Sequence, residues 1–78
     1  MKLIVLDLPR DFSQDALENL FKTYGSVTTC NLIMDEKTGT SKGLGFVEMA
    51  QGQDAEMAIR ELHGSKIDKS KIRVKPAN

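Results

Sequence analysis

The chain has 78 residues, 40% of them hydrophobic and 28% charged, which is the length and composition of one compact globular domain spanning residues 1–78. The 11 basic and 11 acidic residues cancel, which excludes a chain held to nucleic acid or membrane by bulk positive charge. A single cysteine excludes an internal disulfide framework, and no apolar run approaches the roughly 20 residues that span a bilayer, so we expect a cytoplasmic protein without a membrane partner.

The first half of the sequence predicts a strand, a helix and a second strand. Residues 3–6 form an apolar run followed by a proline-containing turn, which is typical of a strand in the centre of a sheet. Ser13 is a suitable N-cap for a helix whose apolar residues recur at helical spacing and which Tyr24-Gly25 ends, with the glycine at its C-terminal side. The β-branched residues between positions 27 and 34 favour the second strand.

The second half predicts a third strand, a second helix and a last strand. Residues 35–41 are polar and contain glycine, so we expect a loop there, before a strand at residues 44–49. Apolar residues at helical spacing then mark a second helix, which stops at Gly64. Residues 71–75 alternate between charged and apolar side chains and are closed by Pro76, which predicts the last strand.

The predicted order is therefore βαββαβ, an α/β sandwich of one sheet and two helices. Each helix connects two strands of the same sheet, so both helices pack on one face and the opposite face stays open. No segment follows Asn78 in the sequence, and we expect nothing else to cover that face.

Positive charge is concentrated near the end of the sequence. Residues 66–75 contain five basic residues and one acidic residue, so this segment is where a polyanion would be attracted. Lys66, Lys69 and Lys71 suit a solvated loop equally well. Strand alternation, in contrast, directs Arg73 and Lys75 to the open face.

Two segments resemble the signatures of a known family. Residues 41–49, SKGLGFVEM, resemble the octapeptide of the RNA recognition motif, and residues 3–8, LIVLDL, resemble its hexapeptide on the first strand. The resemblance implies a ferredoxin-like α/β (α+β) fold, with a four-stranded antiparallel sheet, two helices on one face, and the two signature strands side by side. It also implies a module for single-stranded RNA, with single-stranded DNA as an alternative partner, that uses no cofactor or metal.

The sequence departs from the family pattern at the residues that stack on bases. The three platform aromatics of the family correspond to Ile4, Leu44 and Phe46, of which one is aromatic. Each stacked base is worth about 1–3 kcal/mol, so two missing rings cost roughly 2–6 kcal/mol, part of which apolar contact returns. We expect an intrinsic RNA affinity on the order of micromolar or weaker.

Strand alternation places the candidate binding residues on the open face, where they form an apolar centre with a polar rim. In the roles that their chemistry implies, Phe46 stacks a base, the basic residues contact phosphates or base edges, and Asn31 reads a base edge. Glu48 repels phosphate but can accept a hydrogen bond from a base amino group. The predicted site residues are Ile4, Leu6, Asn31, Lys42, Leu44, Phe46, Glu48, Arg73 and Lys75, and Ile33 extends the apolar centre.

The same apolar face also suits protein contacts. The alternative function is therefore a protein–protein interaction or homodimerisation module that uses this face. An enzyme is disfavoured, because the glycines around Lys42 do not meet the spacing of a phosphate-binding loop and no Ser–His–acid set or carboxylate pair converges on the sheet. We predict that the protein is not an enzyme.

Overall fold

A computed structural model describes residues 1–39 and 41–77, with the backbone alone for residues 41 and 42. The elements are β1 (Lys2–Leu6), α1 (Gln14–Lys22), β2 (Val27–Met34), β3 (Ser41–Met49), α2 (Gly52–Leu62), β4 (Lys66–Ile67), β5 (Ser70–Lys71) and β6 (Arg73–Pro76). Four antiparallel strands form a sheet in the order β2-β3-β1-β6, and β4 pairs with β5 in a separate hairpin. The predicted four-stranded antiparallel sheet with two helices is confirmed, and the two signature strands, β1 and β3, lie side by side at its centre.

The core lies between one face of the sheet and the two helices. Alternate residues of the strands point into it, so that Leu3 and Val5 of β1 and Val47 of β3 are completely buried. Leu17 and Phe21 of α1 pack against them from the helical side and are equally inaccessible to water. The predicted inward and outward faces of β1 and β3 are therefore confirmed.

Cys30 of β2 belongs to the same core, as its predicted inward orientation requires. Its thiol donates a weak hydrogen bond to the carbonyl of Gln14, with 3.8 Å between sulfur and oxygen. Burial raises the pKa of the Cys30 thiol, because removal from water disfavours the thiolate. The side chain therefore acts as a small buried hydrophobe at neutral pH.

The first helix begins where the sequence predicts and ends earlier. Ser13 caps it by accepting a hydrogen bond from the Ala16 N–H at 3.0 Å. The helix ends at Lys22 because the Tyr24 N–H donates to the Phe21 carbonyl only three residues back, which tightens the chain into a turn. The predicted end at Gly25 is therefore wrong.

The glycine at position 25 serves a contact with α2 instead. A Cβ atom there would collide with the side chain of Asp54 in α2, so the close approach of that side chain requires glycine. This requirement is tertiary, and helix-end statistics could not distinguish it from a cap.

Two predicted strand boundaries also differ from the structure. β3 begins at residue 41, three residues before the predicted start, because Gly43 adopts a left-handed conformation (φ +84°) and keeps the chain paired through an irregularity. The last strand, β6, covers Arg73–Pro76 rather than residues 71–75. Pro76 fits in it because β6 is an edge strand, where a missing N–H need not break a ladder.

The β4–β5 hairpin replaces the loop expected before the last strand. It is detached from the main sheet at Ile72, whose N–H donates to the Ser65 carbonyl and whose carbonyl accepts from the Gly64 N–H. These two bonds tie residue 72 to the end of α2, so Ser70–Lys71 pairs with Lys66–Ile67 rather than with β1. In the part of the chain described above, no helix is long and apolar enough to cross a membrane.

We expect Gly45→Ala to destabilise the fold. A Cβ atom at this position would lie 2.8 Å from Leu17 Cδ2 and 3.0 Å from the Asn31 carbonyl oxygen, so the Leu17 side chain must move and β2 and β3 must separate slightly. The free energy of unfolding, measured by urea denaturation, should fall by about 1–3 kcal/mol.

Gly52→Ala is the matched control, because a Cβ atom there meets nothing within 4 Å at the start of α2. It should leave the protein as stable as the wild type or stabilise it by up to about 1 kcal/mol. Equal losses in both variants would show that the tight packing of β3 on α1 is not what the Gly45 substitution disturbs.

Candidate functional site

A row of four directly paired residues crosses the sheet on its open face. Phe46 of β3 is the partner of Asn31 on one side and of Ile4 on the other, and Ile4 in turn pairs with Lys75 of β6. Directly opposite residues point to the same side of a sheet, so these four side chains form one continuous line. The line begins with an amide, passes over an aromatic and an aliphatic side chain, and ends with an ammonium group.

A second line on the same face is apolar at its centre. Leu6 pairs with Arg73 of β6, and both Leu6 and Leu44 lie one residue beyond the paired Val5 and Gly45. Leu6 and Leu44 are partly exposed, as are Ile4 and Phe46 in the first line, whereas the alternate residues behind them are buried. The structure thus brings the predicted apolar residues of β1 and β3 together in one patch, the open-face patch of Ile4, Leu6, Leu44 and Phe46.

The other edge of the open-face patch is polar. Glu48 pairs with Lys2 of β1 and with Thr29 of β2, and all three side chains are exposed. A shallow concavity runs from this polar row along Phe46 and Asn31 to Ile33, which is half-buried. Ile33 therefore extends the apolar centre, as predicted, at a point where the β2–β3 pairing is irregular.

Lys2 is a site residue that the sequence interpretation missed. Its ammonium nitrogen lies over the ring of Phe46, 5.2 Å from the ring centroid, which is cation–π geometry. Lys2 occupies the ring that a base would stack on and brings a positive charge to the patch. The signal was available, because Lys2, Ile4 and Leu6 share one face of a strand by period-two alternation.

Phe46 is the sole aromatic side chain on the open face. Of the other three aromatic residues in the chain, Phe21 is buried in the core, and Phe12 and Tyr24 pack against the core from the helical layer. One predicted site residue, Lys42, has a side chain that lies outside the part of the chain that the structure describes.

Comparison with known proteins identifies the family to which the chain belongs. The profile of the RNA recognition motif matches residues 3–73. The chain belongs to the RNA recognition motif family. It is similar to a Sex-lethal homolog of Megaselia scalaris, at 42% identity over 72 residues that make up 92% of this chain and 22% of that protein.

Solved structures of other RNA recognition motifs have the same fold. RNA Binding Protein PG1 superimposes with a TM-score of 0.93 at 39% identity, over 99% of this chain and 93% of that one. A Sex-lethal protein in complex with RNA also gives a TM-score of 0.93, at 35% identity, over 99% of this chain and 46% of that one. The chain spans less than a quarter of the length of the Sex-lethal homologs that it matches.

An ion pair lies at the end of β1, at the border of the open-face patch. The Arg73 Nε–H donates to Asp7 Oδ2 at 2.8 Å, and both side chains remain about half exposed. Asp7 adopts a left-handed backbone conformation (φ +62°) immediately after Leu6, which turns its carboxylate toward β6. Exposed pairs of this kind contribute at most about 1 kcal/mol, so Arg73 can exchange this partner for another anion.

Asp7 was not predicted as a site residue, although it stands at the fifth place of the hexapeptide, where the family usually has asparagine. Its partner is 66 positions away in the sequence, and only the β1–β6 pairing shows that they meet. In residues 1–39 and 41–77, no group of three or more His, Cys, Asp or Glu side chains is placed to hold a metal ion.

Proposed function

We propose that the open-face patch binds single-stranded RNA. The observation that carries the proposal is the line from Asn31 over Phe46 and Ile4 to Lys75. An aromatic face stacks on a base, an adjacent aliphatic side chain packs against a sugar or second base, and an amide hydrogen-bonds a base edge. The ammonium group at the far end suits a phosphate, so one line of the sheet has a group for each part of a nucleotide.

Membership in the family supports RNA as the ligand. The Sex-lethal relative, which shares this fold at 35% identity, is bound to RNA in its solved complex. RNA Binding Protein PG1 is named for RNA binding, and this chain covers 93% of its length. Single-stranded DNA presents similar bases and the same phosphates, so it is an alternative ligand of the same patch rather than a separate function.

The affinity of this chain alone should be low. Two of the three platform places hold Ile4 and Leu44, and the one ring is covered by Lys2 in the free protein. Missing stacking on two bases corresponds to roughly 2–6 kcal/mol, which leaves an affinity on the order of micromolar or weaker. Function in a cell would then rest on a second binding unit or on several copies acting together.

A second candidate function rests on the aliphatic composition of the patch. Three of its four side chains, Ile4, Leu6 and Leu44, are aliphatic, and such a surface also suits a partner helix or a second copy of this chain. Size-exclusion chromatography across a range of protein concentrations separates the two proposals. Concentration-dependent dimerisation without a response to RNA would favour the protein contact.

We expect Phe46→Ala to weaken RNA binding by about 5- to 150-fold, because it removes the one stacking ring of the open face, worth about 1–3 kcal/mol. The measurement is fluorescence anisotropy of labelled single-stranded RNA at low and moderate salt. Phe46→Tyr keeps the ring and should retain most of the affinity.

Met57→Ala is the control for a lost apolar side chain, because Met57 is 47% exposed on α2, in the helical layer. Its RNA affinity should match that of the wild type. The proposal would be contradicted by equal binding of the Phe46→Ala and wild-type proteins, or by an equal loss in Met57→Ala.

We expect Leu44→Phe to strengthen RNA binding by about tenfold, because it restores a second ring beside Phe46 at a partly exposed position. The same anisotropy titration measures the gain, and Met57→Phe controls for added aromatic surface elsewhere. An unchanged affinity in Leu44→Phe would mean that missing rings are not what limits the affinity.

A further inference from the structure

The β4–β5 hairpin carries an electrostatic arrangement that the fold does not need. Lys66 and Lys71 are direct partners across its two strands, and like charges in that position oppose strand pairing. The hairpin turns through Asp68 in a left-handed conformation (φ +54°), which aspartate adopts more readily than most residues with a Cβ atom. The turn itself therefore needs no further explanation, whereas the like-charge pair lowers stability and suggests a role outside folding.

One strand of the hairpin lines a concavity at the edge of the sheet. Ser70 and Lys71 form one side of it and Arg10, in the turn after β1, forms another. We call this concavity the edge notch. Its lining residues are Asp7, Leu8, Arg10, Gly43, Ser70 and Lys71.

The charge of the edge notch is positive. Its single carboxylate, on Asp7, is paired with Arg73 at 2.8 Å. Among the described residues, no carboxylate lies within ion-pair distance of Arg10 or Lys71, and both side chains are exposed. Two cations that face one concavity without a counter-charge match a phosphate group, to which an arginine donates two parallel hydrogen bonds and a serine hydroxyl a third.

The edge notch continues the open-face patch. Asp7 follows Leu6 directly in the chain, and Arg73, which pairs with Leu6, is held by Asp7 at the border between the two surfaces. The two surfaces are therefore contiguous, and a nucleic acid strand that extends past Leu6 and Arg73 would meet the edge notch.

We propose that the edge notch binds a phosphate group of a nucleotide beyond those held on the open-face patch. The proposal rests on RNA binding by that patch and extends its footprint onto the hairpin. It also assigns a use to Lys71 of the basic segment at residues 66–71, which the open face does not employ.

The test compares RNA of two lengths, a short oligonucleotide of about four nucleotides and a long one of about ten. The double variant Arg10→Gln/Lys71→Gln should bind the long RNA at least about fivefold more weakly than the wild type does. Its affinity for the short RNA should be unchanged. The slope of log affinity against log salt for the long RNA should become shallower by about 0.7, the value for one lost phosphate contact with a single strand.

Arg60→Gln/Lys22→Gln is the matched control, because it removes the same two charge types from exposed positions on the helices. It should leave the affinity for both RNAs unchanged, as well as the slope of log affinity against log salt. The edge notch would be overturned as a distinct site if the Arg10→Gln/Lys71→Gln variant lost the same affinity for the short and the long RNA. It would also be overturned if the control variant lost as much affinity for the long RNA.

A titration with inorganic pyrophosphate separates this proposal from the proposed function. Backbone amide resonances of Ser70 and Lys71 should shift in the wild type and not in Arg10→Gln/Lys71→Gln. Failure of the wild type to bind either RNA would contradict the proposed function. If these amide resonances did not shift with pyrophosphate, the edge notch would be overturned as a phosphate site, whether or not the open-face patch binds RNA.

Discussion

The packing of the sheet against the two helices determines which side chains lie on the open face. Leu3, Val5 and Val47 are completely buried in the core that they share with Leu17 and Phe21, and burial of such side chains is worth about 1.5–3 kcal/mol each. Because side chains alternate along a strand, a one-residue slip would bring these residues to water and Phe46 into the core. The energy of the core on one side of the sheet thus holds the ring of Phe46 on the other side.

In the free protein, two groups on the open face already contact other side chains of the same chain. Lys2 lies over the ring of Phe46, and Arg73 donates to Asp7. Each contact is an exposed interaction of modest strength that a nucleotide can replace, a base at the ring and a phosphate at the guanidinium. In the proposed function, RNA binding is therefore an exchange of partners, which leaves the displaced ammonium and guanidinium groups available for phosphates.

Local sequence patterns were sufficient to predict the faces of the sheet and insufficient at its edges. Period-two alternation identified the buried and open sides of β1 and β3, because these strands are long enough to show it. The β4–β5 hairpin escaped prediction because strands of two residues have no periodicity, and the bonds that detach it converge on Ile72. Gly25 was misread as a helix end since its reason, the approach of Asp54, lies in the other helix. The Asp7–Arg73 pair likewise depends on the strand order, because it forms only where β1 and β6 lie side by side.

The most direct test of the account is an amide chemical-shift map of the chain titrated with short single-stranded RNA. The largest shifts should fall on the line through Asn31, Phe46, Ile4 and Lys75, and the outer surfaces of α1 and α2 should remain unperturbed. Shifts that cluster on the helices while this line stays unchanged would contradict the claim that the open sheet face is the RNA-binding surface.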